Sequence, residues 1–338
     1  MKRLMILLSL IGLGIATGVI IWSGYRQVLQ ALSVAGWGIL WTCLAHLLSM
    51  IFCVIGWQTL LKRNRPGKAV FFYILWIRAA INNLMPVARI GGEVVSVRLL
   101  MRHGVRKSQA VACTVVETTL SVIAVFIFTV VGVAFFTLRV SDQNLAGRLI
   151  MGLLLSVPLL AAFVLIQRIG IFSLLTKIFT LLFGETWTTF LGNTAHLDQA
   201  VRTMYRRRGR ALACLFWQCA SWSSGTIEIW LALHFLGHTL PLSEAFMIEA
   251  LIQGTGSAAF VVPGALGVQE AGFLLYGHLL GLTPDVATAL AVIRRCRDLL
   301  LYAPGLIVWQ MQEGGAWFKR RRTDAKNGSS PDKPLPDR

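Results

Sequence analysis

Residues 84–95 read LMPVARIGGEVV, and this stretch decides the fold. It closes a long apolar run with Pro86, then sets Arg89, Gly91, Gly92 and Glu93 within seven positions. Proline lacks the amide hydrogen that a helix interior needs, and paired glycines let the chain reverse. Within hydrocarbon, unpaired backbone is tolerated only where it is buried in protein or lines a cavity. A helix broken here therefore predicts a built site.

The stretch has a second copy 177 positions on. At that offset Pro86 falls on Pro263, Ala88 on Ala265, Glu93 on Glu270, Gly104 on Gly281, Ala110 on Ala287 and Ala112 on Ala289, with no gap. Both copies lead into an apolar helix. Gly264 and Gly267 supply the second reversal as Gly91 and Gly92 supply the first. An odd number of full crossings separates the copies, so the second is expected to be inverted in the membrane. Inverted repeats with interrupted helices point to a transport site near the midplane. The half-helix beginning at each break presents free amides and a positive dipole end, suited to an anionic group.

The rest of the chain agrees with a membrane setting. Of 338 residues, 56% are hydrophobic and 14% charged, well under the roughly 25% charge of a soluble domain. The expected class is all-α, a polytopic helix bundle with two inverted repeats, each carrying a re-entrant broken-helix hairpin. Residues 1–318 form the transmembrane domain. Its spans are about 4–22, 37–61, 110–137, 145–166, 210–236 and 285–310, and its hairpins about 69–103 and 242–282. The first span follows Lys2 and Arg3 without a small-residue cleavage site, so it is read as retained. Residues 171–184 suit an interfacial helix. Residues 319–338 are expected to be a disordered, basic cytoplasmic tail.

A formal charge of +17 would suit nucleic acid in a soluble protein. Here Lys and Arg gather in short loops: Lys62 to Lys68, Arg102 to Lys107, Arg202 to Arg210 and Lys319 to Arg322. That is the positive-inside pattern, and it sets both termini in the cytoplasm with no nucleic-acid partner. The six cysteines lie singly in apolar runs, lacking the paired spacing of a zinc or redox site. No nucleotide-binding glycine loop or nucleophile–base set is present, and no metal or cofactor is expected.

Ionisable groups at membrane depth cost about 2.5–3.5 kcal/mol each on insertion scales, so they mark pairing or function. The candidates for substrate binding or translocation are Pro86, Arg89, Gly91, Gly92, Glu93, Arg98 and Glu117 in the first copy. In the second they are Pro263, Gly267, Gln269, Glu270, Arg294, Arg297 and Asp298. Arginine suits phosphate or carboxylate bidentately, and Glu93 or Glu270 could carry a coupling proton. Arg294 and Asp298 stand four apart and can pair on one helix face. Glu117 aligns with Arg294 at the repeat offset, predicting a contact between the halves. Glu228 is a third buried acid, with His234 nearby; His46 reads as a packed polar residue.

NNLMPVARIGGEVVSVRLL, VVPGALGVQEAGF and RRCRDLLLYAPGLIVW together resemble the membrane domain of the lysylphosphatidylglycerol synthase/flippase family, its hopanoid-associated branch above all. The resemblance implies a bacterial inner-membrane protein that handles a hopanoid or an anionic or aminoacylated phospholipid. Hopanoid biosynthetic enzymes are implied as partners. A polar tail follows the last span, so no aminoacyltransferase activity is implied. A lipid translocator is the leading expectation. A membrane enzyme acting on an isoprenoid lipid, or a non-catalytic scaffold for hopanoid synthesis, are the alternatives.

Overall fold

A computed structural model describes residues 36–61, 66–85, 91–139, 143–169, 194–258, 265 and 267–326. The expected first span and the segment 171–184 lie outside the described residues, as do Pro86, Arg89 and Pro263. Among the described residues the chain forms ten helices and no strand. They are α1 (Gly38–Thr59), α2 (Lys68–Leu84), α3 (Gly91–Arg102), α4 (Lys107–Arg139), α5 (Gln143–Ile169), α6 (Thr194–Arg206), α7 (Arg208–Phe235), α8 (Leu242–Ala258), α9 (Val268–Leu279) and α10 (Pro284–Lys326).

At 1.5 Å per residue, α1 spans about 33 Å and α4 about 50 Å, enough for a hydrocarbon core of about 30 Å. Both are long and apolar enough to cross a membrane. Trp37, Leu138, Met151, Leu154, Leu155, Phe216 and Met311 are exposed large apolar side chains. Such a surface is costly in water and natural in lipid.

The 177-residue offset also relates helix boundaries. Helix α3 maps residue for residue onto α9, and the first residue of α4 maps onto the first of α10. Buried positions coincide too: Phe71 with Ile248, Ile74 with Leu251, Leu99 with Tyr276, Val105 with Leu282 and Val116 with Ile293. The helices α3 and α9 also end alike. Gly104 (φ 84°) and Gly281 (φ 87°) take left-handed backbone, and the next amides reach back to Leu100 and Gly277 carbonyls at 3.1 and 2.8 Å. This closure satisfies the last carbonyls of a helix and favours glycine because a Cβ there is strained.

Pairings follow the same register. Helix α1 packs along α7; α2 lies against α3 and α10, as α8 lies against α9 and α4. Two apolar cores result. One is built on Trp57, Phe71, Ile74, Ile77 and Leu100, the other on Phe136, Leu233, Ile248, Phe273 and Leu290. Glycines let helices close: a Cβ on Gly132 would stand 2.3 Å from Ala250 Cβ, and one on Gly38 2.4 Å from the Phe235 ring.

Two features differ from expectation. Residues 194–206, whose end from Arg202 is expected as part of a basic loop, form α6, whose Leu197, Val201 and Met204 are buried while Arg202 and Arg206 are exposed. Helix α10 continues to Lys326, through the first part of the tail expected to be disordered. That part is rich in Lys, Arg and Ala, good helix formers, and meets no glycine or proline until Gly328.

Candidate functional site

Asn82 on α2 ties that helix to the start of α3. Its Oδ1 accepts the Gly92 amide at 2.9 Å, and its Nδ2 donates to Glu93 Oε1 at 3.4 Å. A Cβ on Gly92 would lie 2.5 Å from Asn82 Oδ1 and 2.6 Å from the Arg78 carbonyl, so glycine is required at this approach. Thr118 on α4 donates to the other Glu93 oxygen at 3.3 Å.

Arg78, one turn before Asn82, holds this node together. Its guanidinium forks onto Glu117 at 2.5 and 3.1 Å, stands 3.5 Å from Glu93, and lies over the Trp57 ring at 4.8 Å. Gln218 of α7 donates to Glu117 at 2.8 Å. Glu117 has no exposed surface. A carboxylate so buried is stable only when paired and fully hydrogen-bonded, and here both oxygens are engaged.

Gly267, whose φ of 79° is left-handed, immediately precedes α9. Glu270, in the first turn of α9, accepts from Arg295 Nε at 2.7 Å. Arg294 forks onto Glu249 of α8 at 2.8 and 2.9 Å and faces the Phe273 ring. Gln269 is buried beside Gly256, where a Cβ would come within 3.2 Å of its amide nitrogen. The two acids meet partners at the same spacing, Glu93 the Thr118 hydroxyl and Glu270 the Arg295 guanidinium, each 25 residues further on.

A third node joins α1, α7 and α10. Glu228 accepts from Arg297 at 2.7 Å and sits 3.0 Å from His46 Nδ1, while His46 Nε2 meets the Tyr302 hydroxyl at 2.7 Å. Arg297 Nη1 also lies against His46 Nδ1, and Nη2 reaches Asp298 at 2.9 Å. His46 is thus a member of a charged network and not a lone packed residue.

Two expected pairings are corrected. Glu117 and Arg294 do not pair with each other; Glu117 pairs with Arg78 of α2 and Arg294 with Glu249 of α8. Arg294 does not pair with Asp298, because Glu249 takes both its terminal nitrogens and Asp298 pairs with Arg297. His234, near Glu228 in sequence, is exposed and stacked on Trp230. Arg98 is exposed on α3, and Gly91 opens that helix. Arg78, Asn82 and Glu249, absent from the sequence candidates, were visible as polar residues in otherwise apolar arms.

Charged groups gathered beside interrupted helices can receive a polar headgroup without exposing it to hydrocarbon. No curated protein and no solved structure matches the chain significantly. A family model described as the lysylphosphatidylglycerol synthase TM region matches residues 9–305. That match covers most of the sequence, so the chain, a membrane protein, belongs to the lysylphosphatidylglycerol synthase transmembrane-region family.

Proposed function

We propose that the protein is a lipid translocator of a bacterial inner membrane, with both termini cytoplasmic, moving an amphiphile between leaflets. In this reading the α2–α3 and α8–α9 pairs are re-entrant hairpins that enter from opposite faces. The headgroup passes between the Arg78–Glu93–Glu117 and Glu270–Arg295 nodes while its tails stay in lipid. The observation that carries the reading is the matched spacing of Glu93 to Thr118 and Glu270 to Arg295. The substrate is an anionic or aminoacylated phospholipid or a hopanoid, as the family's link to lipids suggests.

Two support points are chemical. Each hairpin carries a carboxylate in the first turn of its returning arm. Those carboxylates are partly exposed, with side chains 24% and 36% accessible, whereas Glu117 and Glu249 behind them are buried. A partly exposed acid in front of a buried ion pair can exchange partners with a headgroup at modest cost.

The test is reconstitution in liposomes containing labelled phospholipid, either phosphatidylglycerol or its aminoacylated form, with a parallel set carrying labelled hopanoid. Movement between leaflets is read by quenching of the outer label. Glu270→Gln and Glu93→Gln are expected to slow movement at least ten-fold while the protein elutes as a folded monodisperse species. Unchanged movement in both variants rules the site out, and absence of movement of any tested lipid rules the function out.

A further inference from the structure

The third node, in which His46 of α1 meets Glu228 of α7 and Arg297 and Tyr302 of α10, has no part in the headgroup path. Its charges do not balance. Glu228, Arg297 and Asp298 are all buried, so two carboxylates share one guanidinium. Arg294 cannot make up the difference, because Glu249 of α8 holds both its terminal nitrogens, and Arg295 bonds Glu270 of α9. Cys43, one turn before His46, and Cys296, next to Arg297, are buried thiols, which carry no charge near neutral pH. The charges that α2 and α4 bring to α1 are Arg78 and Glu117. They meet it at Trp57 and Cys53, two turns or more beyond His46. The node is therefore one positive charge short, and an uncompensated buried charge is costly. One proton closes the gap.

His46 is the group placed to take it. Its Nδ1 faces two partners that make opposite demands. The Glu228 carboxylate, 3.0 Å away, accepts, while Arg297 Nη1, lying against the same nitrogen, donates. A ring nitrogen without hydrogen suits only Arg297, and one with hydrogen suits only Glu228. On the far side Nε2 meets the Tyr302 hydroxyl at 2.7 Å, a group that donates or accepts, so the ring is held in either state. The His46 side chain is 18% accessible, which gives water a route to it. Arg297 Nε is buried with no partner, so the guanidinium is not fully tied down.

We infer that His46 is a proton-binding site and that proton uptake there is coupled to transport. The proton passes from water to the ring, and Nδ1–H then donates to Glu228. Arg297, now facing a second donor, gives up His46 and keeps Asp298. That exchange changes the ties of α10 to α1 and of α1 to α7 in one step. The coupling, though not the proton site, rests on the translocation reading above, and it leaves Glu93 and Glu270 to the headgroup.

The test is nitrogen NMR of the full chain, isotope-labelled at histidine, in lipid nanodiscs between about pH 5 and 8. Among the six histidines, the His46 signals are those lost in His46→Gln. They are expected to pass from the neutral to the protonated pattern within this range. Asp298→Asn removes one of the two carboxylates and is expected to weaken proton binding about ten-fold or more. A His46 that stays neutral throughout, or one whose proton binding Asp298→Asn leaves unchanged or tightens, overturns the inference. For the coupling, the liposomes with labelled phosphatidylglycerol are given a pH difference across the membrane. Wild type is expected to move the label faster under one direction of the gradient than under the other, and His46→Gln to lose that difference. Equal rates in wild type overturn the coupling. A titrating His46 without lipid movement supports the proton site and removes the translocation reading, whereas lipid movement with a neutral His46 removes the proton site alone.

Discussion

Removing Arg78 should damage the protein more than removing its partner. Arg78→Met would leave Glu117, which has no exposed surface, facing only Gln218 and Cys53. Breaking a buried pair from one side costs about 3–5 kcal/mol. Loss of the guanidinium over Trp57 adds about 1–2 kcal/mol for a desolvated cation–π contact. Glu117→Gln is different. Arg78 already stands 3.5 Å from Glu93 and can turn its charge there, so about 1–3 kcal/mol is expected. The double variant removes both charges and should be more stable than Arg78→Met alone, with a coupling of at least about 1 kcal/mol. Unfolding equilibria in mixed micelles, followed by tryptophan fluorescence, measure all four corners of the cycle. Additive single effects, or an Arg78→Met cost under about 1 kcal/mol, would show that this node does not hold the hairpin to α4.

Other expectations concern packing. Gly92→Ala should cost about 1–3 kcal/mol because its Cβ meets the Arg78 backbone carbonyl, which cannot yield cheaply, whereas Gly209→Ala, with open space around it in α7, should be neutral or stabilising; the same unfolding assay separates them. Gly132→Ala should be similarly costly and should be partly rescued by Ala250→Gly, since the clash is with that methyl group. Cys113 and Cys214 have no exposed surface, so maleimide should modify them only on unfolding; rapid labelling of the folded protein would contradict the packing of α4 and α7.

The 177-residue offset was legible because its marks are backbone marks. Gly104 and Gly281 close equivalent helices, and Glu93 and Glu270 sit at the same place in equivalent arms. Partners were less legible. An offset reports which residues are equivalent and says nothing of which are neighbours, so aligning Glu117 with Arg294 suggested a contact that does not form. Arg78 and Glu249 were passed over because each lies in an arm read for its apolar content. Yet a lone charge in such a run is the costly feature that most needs explaining. His46 escaped for the opposite reason: its partners Glu228, Arg297 and Tyr302 lie 182 to 256 residues away, beyond any local pattern.

Equivalent backbone has been given unequal chemistry. In the first half one arginine, Arg78, serves two carboxylates, Glu93 and Glu117. In the second half two arginines, Arg294 and Arg295, serve Glu249 and Glu270 one apiece. Thr118 occupies the position at which Arg295 stands, and Glu93 is consequently the less neutralised of the two hairpin acids. If the register is real at the level of side chains, Thr118→Arg should be accepted, because its guanidinium would follow the path Arg295 takes to Glu270. The expected stability change is within about 1 kcal/mol, against a loss of several for an arginine at fully buried, apolar Val116 two residues away. The same substitution should slow movement of any amphiphile whose headgroup carries an ammonium, since Glu93 would no longer be available to it. Comparing the two variants by unfolding and by leaflet exchange tests both claims at once. Equal damage from Thr118→Arg and Val116→Arg would mean that the two hairpins share a backbone course but no common design for their charges.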